Sequence, residues 1–78
     1  MKNLEQIRAQ HALAFWASTR NEEVRADLAA ERVRAMAALV LGHGLLAAIA
    51  FAKDQSAPDR RGAFEELILE TGRFLASR

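Results

Sequence analysis

Apolar residues recur along this chain every three or four positions, the period of a helix, and nowhere alternate with polar ones as in a strand. The first such stretch opens at Asn3, which with Gln6 forms a capping-box pair able to satisfy free backbone N–H groups, and runs to about Ser18. At about 100° per residue, Leu4, Ile7, His11, Ala14 and Phe15 share one face, and Leu13 and Trp16 fall elsewhere with Ala9 between them. Thr19-Arg20-Asn21 is a polar break. Asn21 is placed to cap the next helix, and Glu22-Glu23 suit its positive N-terminus.

A long second stretch follows, with Val24, Leu28, Ala35 and Leu39 as its main stripe. Gly42 and Gly44 either kink it or let another helix come close, and the period resumes through Leu45, Leu46, Ile49 and Phe51. The apolar run from Ala35 to Ala52 is long enough to suggest a membrane span. Half of it is alanine or glycine, however, which makes it weakly hydrophobic and reads as a buried helix. Residues 54–58 read as a loop, with Ser56 and Asp59 as a second capping box and Pro58 in the first turn. The last helix has the cleanest pattern, with Phe64, Leu67, Ile68, Thr71 and Leu75 on one side. The fold expected is an all-α single domain over residues 1–78, a small bundle of three to four helices.

Composition narrows the function. A chain of 78 residues has a thin core, and without cysteine it has no disulfide or thiolate metal site to support it. Association with other chains is the remaining support. Net charge is +1, too small for bulk attraction to a polyanion. Charge is uneven: residues 1–30 are balanced, residues 31–53 carry Arg32, Arg34 and Lys53 against Glu31, and the remainder is slightly acidic. Met1-Lys2-Asn3-Leu4-Glu5 leads into a charged amphipathic stretch rather than a secretory signal, so the expected compartment is the cytoplasm.

Catalytic chemistry finds no foothold. His11 and His43 are far apart and lack further ligands at metal-binding spacing. His11, on an apolar face, reads as a packed core residue; His43, between two glycines, is left open between that and contact with a partner or phosphate. Glu65 and Glu66 diverge by about 100° and form no carboxylate pair. Ser18, Ser56 and Ser77 have no His/Asp constellation, and Gly42-His43-Gly44 lacks the lysine of a phosphate loop. The expectation is a protein without enzymatic activity, cofactor or metal, which acts by binding macromolecules.

Two features bear on what it binds. Arg25 and Arg32 are seven residues apart and project from nearly one helix face, a row able to track phosphates. The competing reading is ion pairing along the helices, Glu22 with Arg25, Glu31 with Arg34, Arg61 with Glu65 and Glu70 with Arg73. Leu13 and Trp16 off the first face, with Leu69 and Phe74 off the last, either wrap into the core or form an exposed patch. Because so small a bundle cannot shield every helix, Leu13, Trp16 and Phe74 are the expected protein interface.

The stretch Asn3-Leu4-Glu5-Gln6-Ile7-Arg8-Ala9-Gln10-His11-Ala12-Leu13 resembles the N-terminus of the small helical subunit of type III-B (Cmr) CRISPR effector complexes, which often starts Glu-Gln-x-Arg-Ala-x-x-Ala. His43-Gly44-Leu45-Leu46-Ala47-Ala48-Ile49-Ala50-Phe51 is similar to that family's Asn-Gly-Leu-Gly helix with its later Leu-Ala-Phe. Gly44, Leu45, Ala50 and Phe51 fit, while His43 stands for the usual Asn and Leu46 for the second Gly. The terminal helix is similar in pattern only, and the chain reads as a shortened or divergent member. The resemblance implies a non-catalytic subunit that stacks along a ribonucleoprotein beside the subunits holding guide RNA, bracing the guide–target RNA duplex. Its partners would be other effector subunits, further copies of itself, and the guide and target RNA, with no membrane. The resemblance adds Arg8 and Lys53 to Arg25, Arg32 and Arg34 as residues expected to contact RNA. A protein-only adaptor that docks through an apolar face is the alternative. A dimeric DNA regulator is disfavoured, because no short polar recognition helix follows a turn.

Overall fold

A computed structural model describes residues 4–56 and 63–78. Among them the chain forms five helices and no strand: α1 (Leu4–Ser18), α2 (Glu22–Asp27), α3 (Ala29–His43), α4 (Leu45–Gln55) and α5 (Ala63–Ala76). The all-α expectation holds, with one more helix than the upper number expected. Asn3 and the loop residues Pro58 and Asp59 lie outside the described residues.

The two local breaks explain the extra helices. Asn21 caps α2 as its side chain predicts, its Oδ1 accepting from the N–H groups of Glu23 (3.0 Å) and Val24 (3.2 Å). At Leu28 the backbone N–H divides between Val24 O (3.0 Å) and Arg25 O (3.2 Å), and this shared bond separates α2 from α3. The second break is sharper. Gly44 has φ 93° and ψ 159°, a conformation side chains strongly disfavour, and it joins α3 to α4 with no intervening loop. Its N–H still caps Val40 O at 2.9 Å, and its own carbonyl accepts from Ala48 at 3.1 Å. Gly44→Ala should therefore destabilise by about 1–3 kcal/mol, although nothing lies within 4 Å of an added Cβ. Urea titration followed by circular dichroism checks this; an unchanged midpoint would show that the bend does not depend on glycine.

Gly42 works by contact instead. A Cβ there would stand 2.5 Å from the Gln6 amide, which presses on α3 and donates from Nε2 to Ala38 O at 2.8 Å. Gln6 is thus a tie between α1 and α3, the most extensively packed pair of helices.

The core gathers Ala9, Leu13, Trp16 and Ala17 of α1, Ala35, Met36 and Leu39 of α3, Ala48 and Ala52 of α4, and Phe64 and Leu67 of α5. The many alanines let backbones approach closely, while fully buried Leu13, Met36, Leu39 and Leu67 each contribute about 1.5–3 kcal/mol by leaving water. On α5 the expected stripe is correct: Phe64, Leu67 and Thr71 are buried, with Ile68 and Leu75 half-buried.

On α1 the expected face is the wrong one. Leu4, His11 and Phe15 are exposed, Phe15 by 54%, while Leu13 is 0% exposed. Leu13 stands half a turn from Leu4, so the buried side is opposite the one the pattern predicts. His11 is correspondingly an exposed residue rather than a packed core one. The apolar run 35–52 is split by Gly44 and only partly buried. Leu41, Leu45 and Leu46 are exposed, Leu46 by 83%. Among the described residues no helix is long and apolar enough to cross a membrane.

Candidate nucleic-acid interface

Arg25 and Arg32 do not share one helix, since the break at Leu28 puts them on α2 and α3, and both turn inward onto the same ring. The Arg25 guanidinium lies 4.6 Å from the Trp16 ring centroid, and that of Arg32 5.2 Å. Both positions are within cation–π range. Nη1 of Arg25 also donates to Trp16 O at 2.7 Å, returning α2 onto the end of α1. Arg32 is 8% exposed and its Nη2 meets Glu70 Oε2 at 2.7 Å, linking α3 to α5. Glu70, expected to pair with Arg73 along its own helix, is held across the bundle by Arg32 instead. Trp16 completes the cluster with an edge-to-face contact to Phe64, with centroids 6.0 Å apart and planes at 83°.

Two expectations are corrected by this cluster. Arg32 is buried against Glu70, and half-buried Arg25 rests on Trp16, so the expected tracking row helps to clamp the helices together. Trp16 and Leu13 are not an exposed interface, because this chain's own helices cover them. Phe74 is half-buried on the surface of α5 and keeps a side open.

The basic residues that do face outward lie elsewhere. Arg8 of α1 and Arg34 of α3 are exposed and line a common groove of about 220 Å³, floored by Ala9, Ala12, Ala35 and Ala38. Small floor residues let a backbone approach the two helices closely. Glu5 and Glu31 also line the groove, so its charge is local rather than a broad basic field. Among the described residues neither Arg8 nor Arg34 takes part in an ion pair. Arg34 continues into a second cleft, of about 290 Å³, with Leu41, Phe74 and Arg78. Lys53 is exposed on α4 and lines neither. Of five basic residues expected to meet RNA, the fold therefore brings Arg8 and Arg34 together and leaves Lys53 apart.

Arg78 was not among the expected residues. Its position beside Arg34 depends on how α5 docks against α3, which spacing along the sequence does not reveal. His43 is exposed at the end of α3 and borders a small cleft with Gln10, Leu39 and Phe51. Among the described residues no group of three or more His, Cys, Asp or Glu is placed to hold a metal ion.

The chain matches no family model, no curated protein and no solved structure.

Proposed function

We propose that this chain is a non-catalytic helical subunit of a cytoplasmic ribonucleoprotein, of the type III CRISPR effector kind, and that it braces bound RNA through the groove between α1 and α3. The observation that carries the reading is the convergence of Arg8 and Arg34 on an alanine-floored groove, without ion-pair partners among the described residues. Two guanidinium groups on a close-approach floor suit a sugar–phosphate backbone, which is bound through charge and shape while base pairing supplies the sequence. The motif resemblance adds support at two places. Arg8 lies in the matched N-terminal stretch, and the matched Gly44 occupies the positive-φ position that starts α4. Other effector subunits, the guide RNA and the target RNA are the proposed partners.

Co-purification of the tagged chain from its native host, with mass spectrometry of proteins and sequencing of RNA, tests the assembly. Backbone subunits with short repeat-derived RNA are expected. The RNA contact is tested in that complex with the Arg8→Ala/Arg34→Ala double variant. Loss of two phosphate contacts should weaken RNA binding and flatten its log–log salt dependence by about 1.4 to 1.8. An unchanged slope would remove both arginines from the interface.

A second reading is favoured by a separate observation, the run of exposed Leu41, Leu45 and Leu46 at the α3–α4 bend. In that reading the chain is a protein-only adaptor, and proteins recovered without RNA would establish it.

A further inference from the structure

The seam between α3 and α5 carries an aromatic ring between two depressions, and Arg34 borders both. Above Phe74 lies a depression of about 370 Å³ that includes Val33 and Glu70. Below it lies the cleft of about 290 Å³ with Leu41 and Arg78. We infer that this cleft is a single-strand site, in which one unpaired RNA base stacks on Phe74 against Leu41 while Arg34 and Arg78 hold the phosphates on either side. The inference rests on the RNA-contact reading above and specifies which form of RNA this face takes.

Three observations carry it. First, the ring and the two guanidinium groups line one cleft, and a single strand offers the matching pair of flat apolar bases and charged phosphates. Second, the cleft, of about 290 Å³, has room for one base. Third, the carboxylate of the neighbouring depression is compensated. Glu70 in the upper depression is neutralised by Arg32 at 2.7 Å and does not oppose an approaching strand. A paired base cannot enter, because its faces are covered by neighbours in the helical stack. The groove of Arg8 is contiguous with this site through Arg34, so a strand leaving the cleft continues along the α1–α3 groove.

The test is fluorescence anisotropy of a labelled short single-stranded RNA, and of the same strand annealed to its complement, titrated with the purified chain. The single strand is expected to bind more tightly than the duplex. Phe74→Leu keeps an apolar side chain on the half-buried seam but removes the stacking surface. It should weaken single-strand binding about tenfold and leave duplex binding unchanged, and Phe74→Trp should restore it. Circular dichroism melts of both variants separate loss of stacking from loss of fold. If Phe74→Leu binds single strands like wild type while the Arg8/Arg34 variant does not, the cleft proposal is overturned and the RNA-contact reading stands. Failure of the chain to bind either RNA also overturns it, and leaves this seam as a protein-docking face. The assembly reading then rests on the co-purification alone.

Discussion

Trp16→Ala is expected to be the most damaging single substitution in the chain, lowering stability by about 3–5 kcal/mol. A domain of 78 residues holds only about 4–12 kcal/mol in total, so much of the population should unfold near physiological temperature. The reason extends beyond lost apolar area. Trp16 is 4% exposed, meets Phe64 edge-on, and carries a guanidinium at 4.6 Å and another at 5.2 Å. Its removal opens a cavity between α1 and α5 and takes away the surface on which both cations rest. Trp16→Phe should recover part of the loss, because a smaller ring retains an aromatic face for the arginines. Urea titration by far-ultraviolet circular dichroism measures both variants, since each removes the chain's single tryptophan as a fluorescence probe. A loss below about 1 kcal/mol for the alanine variant would contradict the burial of this ring.

The elements that could be read from the sequence were those with a local cause. Asn21 caps α2 because its side chain reaches N–H groups two and three residues away, with no help from the fold. α5 has one apolar stripe, so its buried side follows from period alone. Gly44 ends α3 because of its own φ. α1 failed for the opposite reason. It has apolar residues all round, Leu4 and Phe15 on one side and Leu13 and Trp16 on the other, so period cannot choose between them. The choice is made by α3, whose alanines accept the Ala9, Leu13 and Ala17 side of α1 and leave Phe15 in water.

The site was legible to a similar degree. The seven-residue spacing of Arg25 and Arg32 predicts one helix face, but α2 ends between them, and both turn inward to Trp16, which reaches them from another helix. A charged residue is ordinarily assigned to the surface, and Arg32 departs from that because it has Glu70 and an aromatic ring to replace water. The meeting of Arg8 with Arg34, and of Phe74 with Arg78 and Leu41, required the docking of α1 and α5 on α3. No spacing in the chain encodes it.

The clamp between α3 and α5 yields a second large effect, with an order that runs against exposure. Glu70→Ala is expected to destabilise by about 2–3 kcal/mol, and Arg32→Met by about 1 kcal/mol or less. The Glu70 side chain is 34% exposed and the Arg32 side chain 9%, so burial alone would rank them the other way. What decides is the charge left behind. Without Arg32, the Glu70 carboxylate turns to water it already touches, and methionine fills the space of the arginine stem against Trp16. Without Glu70, a buried guanidinium loses its carboxylate, and its Nη1 already lacks a hydrogen-bond partner. The Trp16 ring at 5.2 Å compensates only in part, by about 0.5–2 kcal/mol. Urea midpoints at neutral pH give the order directly, and a larger loss for Arg32→Met would show that the pair is governed by packing rather than charge. Measured below its melting temperature, Glu70→Ala should bind RNA like wild type, whereas Arg8→Ala/Arg34→Ala should keep its stability and lose affinity. Such a crossed result would separate the clamp that holds the fold from the arginines that face a partner.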